Sequence, residues 1–145
     1  MRIKWQGIVI HCTESDDGPS LDWPAIRRYH MAPPPEGKGW LDIGYNFGEE
    51  SVNGETVLVV GRSMNIPGAH CRGYNDKYLG FAFVCKRQEV PSDEELRRSA
   101  SFMAGLLDSL GVNRTAVYAH KELNDTTCPD SVPMDKLREL IRTAK

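Results

Sequence analysis

The apolar positions of this chain fall into short blocks whose spacing switches between the strand and helix periods. Ile8-Val9-Ile10 is a continuous apolar run closed by His11, the pattern of a buried strand with an exposed C-terminal end. Asp22-Trp23-Pro24 opens a helix, with Asp22 as N-cap and the proline in the first turn. Ile26, Tyr29 and His30 then share one face at i, i+3 and i+4. Residues 45–47 and 57–60 read as strands, with Asn53-Gly54 supplying a hairpin turn between them. Leu79-Gly80-Phe81-Ala82-Phe83-Val84 is a further buried strand whose glycine permits close backbone approach. Ser92 and Glu95 form a capping-box pattern, Leu96, Met103, Leu107 and Leu110 recur near the helical period, and Gly111 supplies the stop. Ala116-Val117-Tyr118-Ala119 is a short strand that runs into His120, and a last helix over residues 135–142 buries Leu137, Leu140 and Ile141. Strands alternating with helices predict an α/β fold, one domain with a mixed β-sheet flanked by helices.

Composition narrows the function classes. Hydrophobic residues at 40% and charged residues at 26% exclude a disordered, collagenous or coiled-coil chain. A net charge of −2 provides no strong field toward nucleic acid or an anionic membrane, so neither is an expected partner. The Ile8-Val9-Ile10 run is far too short to span a bilayer, and no membrane insertion is expected. Residues 1–6 carry basic side chains but no h-region follows them, so export by a standard signal is not expected. Four cysteines are too few for a disulfide-stapled scaffold and read as thiols or metal ligands. Three prolines and two glycines within residues 32–39 make a surface loop, either a plain connection or part of a substrate cleft.

The candidate chemistry lies in the histidines. His11 closes one strand, His120 follows another, and His70 sits in the glycine-flanked loop Gly68-Ala69-His70-Cys71-Arg72-Gly73. A strand end is a rigid platform from which a side chain is aimed into a cleft. Cys128 follows His120 by eight residues and precedes Pro129. Imidazole and thiolate are good zinc ligands, and two of them on one loop with a third across the sheet would build an open site. Spacing alone is a weak signal for a metal, and the ordinary reading of these residues is hydrogen-bonded histidines and a small buried thiol. His30, on the apolar helix face with Ile26, reads as structural. In a regular strand Cys12 points to the face opposite His11 and stays out of any metal set. Cys71 and Cys85 acquire no role from the sequence.

Four segments, in order and covering most of the chain, resemble the zinc-dependent N-acetylmuramoyl-L-alanine amidases of the phage-lysozyme and peptidoglycan-recognition-protein superfamily. They are Ile8-Val9-Ile10-His11-Cys12-Thr13; Ile26-Arg27-Arg28-Tyr29-His30 with Gly39-Trp40-Leu41-Asp42-Ile43-Gly44-Tyr45-Asn46-Phe47; Gly61-Arg62 with Gly68-Ala69-His70-Cys71-Arg72-Gly73-Tyr74-Asn75; and Ala119-His120-Lys121-Glu122-Leu123 with Thr126-Thr127-Cys128-Pro129. The resemblance implies that fold, and one Zn2+ per chain held by His11, His120 and Cys128 with water at the fourth position. Zinc lowers the pKa of such a water to around 7 and polarises a carbonyl. The implied substrate is bacterial peptidoglycan, cut at the amide between the lactyl group of N-acetylmuramic acid and L-alanine. Tyr45 matches the family's catalytic tyrosine, and His70 matches a histidine that binds substrate along the cleft. Thr126 stands where the phage lysozymes carry a catalytic lysine and the recognition proteins commonly carry threonine. A hydroxyl there donates a hydrogen bond without adding charge.

The short chain resembles phage endolysins made of a bare catalytic domain. That implies a monomer with no separate cell-wall-binding domain, held in the host cytoplasm before lysis and acting on the cell wall after release. Two alternatives stay open at this point. One is a cytosolic amidase that recycles muropeptides. The other is a non-catalytic protein that binds peptidoglycan or, by analogy alone, contacts an RNA polymerase.

Overall fold

β1 (Gly7–Cys12), β2 (Phe47–Val52), β3 (Glu55–Val60), β4 (Tyr78–Phe83) and β5 (Val117–Ala119) make one sheet in the order β3-β2-β4-β1-β5. The structure, a computed structural model, describes residues 2–145. β1 runs parallel to both β4 and β5, β2 runs parallel to β4, and the β2–β3 pair is antiparallel. The C-terminal ends of β1, β2, β4 and β5 therefore meet along one edge. α2 (Asp93–Ser109) and α3 (Met134–Thr143) cover one face, and α1 (Trp23–Met31) covers the other. The expected mixed sheet flanked by helices is the observed one.

Alternation along the central strands divides two cores. Ile8, Ile10 and Cys12 of β1, with Leu79, Phe81 and Phe83 of β4, pack against Leu96, Met103 and Leu107 of α2 and Leu137 and Ile141 of α3. The residues between them face α1, where Ala82 and Val84 meet Trp23 and Ile43. Both faces of β1 are buried, which is why its sequence reads as an unbroken apolar run rather than an alternating one.

Local signals in the sequence fold as their chemistry dictates. The Ser92 hydroxyl accepts the Glu95 N–H at 3.2 Å and the Glu95 carboxylate accepts the Ser92 N–H at 2.6 Å, closing the capping box of α2. At its other end the Val112 N–H reaches the Leu107 carbonyl and the Gly111 N–H reaches that of Asp108, a Schellman stop. Asn53 and Gly54 both take positive φ (52° and 79°), as a type I′ hairpin turn requires.

Two expectations need correction. β2 begins at Phe47, so Tyr45 lies before the strand. Asn46 joins its neighbours through backbone and side chain together: its N–H donates to the Gly80 carbonyl at 3.1 Å, its Oδ1 takes the Gly80 N–H at 2.9 Å and its Nδ2 donates to the Arg62 carbonyl. Asp22 holds the N-cap position of α1, but its carboxylate turns back to the Gly18 N–H. The helix end is satisfied instead by Glu50 of β2, which accepts the Asp22 and Trp23 N–H groups at 2.7 and 3.0 Å. Glu50 is fully buried, and this bidentate acceptance accounts for a carboxylate in the core.

Its neighbour Glu49 points to the other face and lacks such partners. It is 1% exposed, and its Oε1 has no hydrogen-bond partner. Burial, with smaller contributions from Glu95, Asp17 and Glu50, raises its pKa to about 9. A carboxyl with a raised folded-state pKa favours the fold fully below its ordinary value near 4.5, and that contribution is lost as pH rises toward 9. Glu49→Gln should therefore leave the melting temperature nearly unchanged at pH 4.5 and raise it by about 3–6 °C or more at pH 8–9, read by thermal denaturation across that range.

Candidate metal centre

The sheet assembles the site from residues far apart in the chain. β1 and β5 are parallel neighbours, so His11 near the end of β1 and His120 just after β5 come to the same edge. His120 opens a single 3-10 turn, His120–Glu122, and the loop beyond it returns Cys128 to that edge, where its carbonyl accepts the Lys121 N–H at 2.8 Å. One ligand atom from each of His11, His120 and Cys128 lies within 4.8 Å of the other two. The Cys128 sulfur is held by the Cys12 N–H at 3.3 Å, while the Cys12 side chain faces α2, away from the cluster, as strand alternation requires.

Hydrogen bonds fix which nitrogens are free. His70 Nε2 lies 3.0 Å from the Tyr78 carbonyl, which can only accept, so that nitrogen carries the proton. Burial holds the His70 pKa down at about 4, so its ring is neutral and its Nδ1 is bare. That bare nitrogen sits 2.9 Å from His11 Nε2, which must therefore donate. His11 is itself kept neutral, its pKa pushed well below the ordinary value by burial first and then by the neighbouring His70 and His120. Its remaining nitrogen, Nδ1, is bare and lies 3.7 Å from the Cys128 sulfur. Asn124 does the same for His120. Its Nδ2 donates to the Arg72 and Leu123 carbonyls, which turns Oδ1 toward His120 Nε2 at 2.9 Å. In its neutral form His120 then keeps Nδ1 bare.

The donor set fits zinc on these grounds. Two imidazoles each have one nitrogen committed behind them and one free, the arrangement that fixes the tautomer of a metal-ligating histidine. Burial pushes the lone Cys128 thiol up to about 12, with nearby Cys12, Asp130 and Glu14 adding to the rise, so a cation is what this sulfur needs to become a thiolate.

Gly80 makes the arrangement possible. A Cβ at Gly80 would come within 2.6 Å of the His70 ring, so only glycine lets that ring lie against β4. This is the close approach expected of a glycine inside a strand.

Two hollows flank the cluster. One, of about 440 Å3, is lined by Thr13, Asp22, Ile26, Tyr29, His30 and Tyr45 among others. Its wall brings the Tyr45 ring to 5.2 Å from that of His11. Burial raises the Tyr45 pKa, so it stays a protonated phenol and a hydrogen-bond donor. His30 is 8% exposed, accepts the Gly44 N–H at 3.0 Å through Nδ1, and is held neutral by burial with a pKa of about 4. It acts as a structural acceptor in that wall. The other hollow, of about 480 Å3, is lined by Trp40, His70, Arg72, Asn75, His120 and Asn124 among others. Thr126 sits on the Cys128 loop with its hydroxyl oxygen accepting the Cys128 N–H at 3.2 Å, and Lys121 is exposed.

Of the residues singled out by the sequence, His11, His120 and Cys128 converge, Tyr45 and His70 flank them, and Thr126 braces the loop. Asn124 was missed. Its position four residues after His120, beside it on one turn, is the local signal that could have found it.

The sequence matches the N-acetylmuramoyl-L-alanine amidase family over residues 1–131. Peptidoglycan-recognition protein LB of Drosophila melanogaster is 33% identical over 94 residues, which is 63% of this chain and 39% of that protein. The endolysin of Escherichia phage T7 is 28% identical over 137 residues, 88% of this chain and 82% of that one. The chain spans 39–59% of the length of the peptidoglycan-recognition proteins LB and SC2 that it matches. N-acetylmuramoyl-L-alanine amidase LysC from Clostridium intestinale URNW superposes with a TM-score of 0.78 at 22% identity, covering 99% of this chain and 89% of that one, and shares the fold. Since the family match spans both the strand that carries His11 and the loop that carries Cys128, this chain belongs to the N-acetylmuramoyl-L-alanine amidase family.

Proposed function

We propose that this chain is a zinc-dependent hydrolase that cuts the amide between the lactyl group of N-acetylmuramic acid and L-alanine in bacterial peptidoglycan, working as a phage endolysin. The observation that carries the reading is the convergence of His11, His120 and Cys128, each imidazole with its rear nitrogen already bonded, between two open hollows. The endolysin role draws on the T7 relative, which this chain covers over most of its length. In that role the protein waits in the host cytoplasm and acts on the cell wall once released.

His11, His120 and Cys128 would hold the ion. Bound there, zinc supplies Lewis acidity toward a carbonyl oxygen and a water acidic enough to ionise near neutral pH. His70 and Asn124 are positioning residues that keep the two imidazoles in the ligating tautomer. The neutral Tyr45 phenol would donate a hydrogen bond to charge that develops on the substrate oxygen. Thr126 already accepts the Cys128 N–H, which leaves its O–H proton as a second, uncharged donor. The two hollows receive the two sides of the amide. Both His70 nitrogens are committed, to His11 and to Tyr78, so a substrate in the second hollow meets the ring's carbon edge.

A second reading, peptidoglycan binding without cleavage, is favoured by the likeness to a recognition protein and by Thr126 in place of lysine. The products separate the two. Purified sacculi incubated with the zinc-loaded chain should release stem peptides bearing a free L-alanine amine, read by mass spectrometry. Sacculi that bind the chain and release nothing, or release cut glycan, overturn the amidase reading.

Cys128→Ser should remove zinc and peptide release together, measured by metal analysis and turnover. Tyr45→Phe should retain zinc and slow turnover by about 100-fold. His70→Ala should weaken zinc about 10- to 100-fold in competition with a chromophoric chelator, and Gly80→Ala should do so in the same direction by displacing the His70 ring.

A further inference from the structure

A second pair of buried side chains, outside the metal cluster, is built for chemistry of its own. Cys12 and Cys85 are 4% and 5% exposed, and their sulfurs lie 3.1 Å apart on the α2 side of the sheet. They sit just where β1 and β4 end. The Thr13 N–H donates to the Phe83 carbonyl at 3.0 Å, the Ser15 N–H to that of Cys85 at 3.2 Å, and the Cys85 N–H to the Thr13 hydroxyl at 3.3 Å. Three hydrogen bonds therefore hold the two backbones side by side around the thiols. Closing the sulfurs to a covalent bond of about 2.0 Å needs a movement of about 1 Å, within the reach of side-chain torsions. The other two thiols lie elsewhere: Cys128 in the metal cluster, and Cys71 beside Asn124.

One member of the pair borders a hollow. Cys85 lines a hollow of about 280 Å3 together with Asp17, Glu49, Glu89, Ser92 and Glu95. No Lys or Arg lines it, so the hollow disfavours anionic oxidants such as glutathione disulfide and admits a small neutral one.

We propose that Cys12 and Cys85 form a site of reversible disulfide modification, with a hydroperoxide as the oxidant that reaches it through the acidic hollow. One of the two sulfurs attacks a peroxide oxygen, the O–O bond breaks, the thiol proton goes to the departing hydroxide to make one water, and a sulfenic acid is left behind. The other sulfur then attacks that sulfenic sulfur, the S–O bond breaks, and a second water leaves with the remaining thiol proton. Two thiols and one hydrogen peroxide become one disulfide and two waters. The metal set takes no part, so the site stands or falls independently of the amidase reading.

The test uses the zinc-loaded full chain exposed to hydrogen peroxide, cleared with catalase, alkylated in denaturant and digested with trypsin. The expected product is a peptide covering residues 5–27 joined to one covering residues 78–86, lighter by the pair of thiol hydrogens and separated by reductant. Cys71 and Cys128 should remain alkylated, and Cys85→Ala should leave Cys12 alkylated under the same treatment. Full alkylation of Cys12 and Cys85 after peroxide, a Cys12–Cys128 link, or sulfinic acid at Cys85 without a link would each overturn the proposal.

Discussion

The site depends on one line of hydrogen bonds, from the Tyr78 carbonyl through the His70 ring to His11. Because the line starts at a carbonyl it has a direction, and because burial keeps both rings neutral it cannot be scrambled by a proton. What emerges at the far end is a bare nitrogen aimed at Cys128. The same two rings in water would sample both tautomers, and the cluster would lose its ligating geometry. The core around them therefore contributes more than packing, since it sets the electronic state of the site.

Sheet topology supplies the rest. Parallel pairing of β1 with β4 and β5 delivers three strand ends to one edge, and each end contributes something. β1 brings His11, β5 leads into His120, and β4 gives the floor on which His70 lies. The antiparallel β2–β3 hairpin stands apart from this edge chemistry. It contributes instead through Glu50, which caps α1 and so fixes the wall that holds His30 and borders Tyr45.

Much of this was legible in the sequence because the signals are local. The apolar run ending in His11, the capping box at Ser92 and the Asn53-Gly54 turn are each written within a few residues. The ligand set was legible through the resemblance, since spacing alone favoured a buried thiol and ordinary histidines. What escaped was tertiary. Nothing near Asp22 indicates that a glutamate on a distant strand takes over its cap, and nothing near Tyr45 indicates that the Asn46 side chain ties β4 to the Arg62 carbonyl. Glu49 and Glu50 look like ordinary polar strand residues. Only the fold reveals that one is satisfied by a helix end and the other is stranded.

The hydrogen-bond line has a further consequence because it is anchored on main chain rather than on another side chain. Any slip of β4 against its neighbours would reach the imidazole at its far end before it disturbed the apolar layers. An ion seated at that end would then serve as a strain gauge for the sheet, its affinity changing while the bulk of the molecule still looks intact.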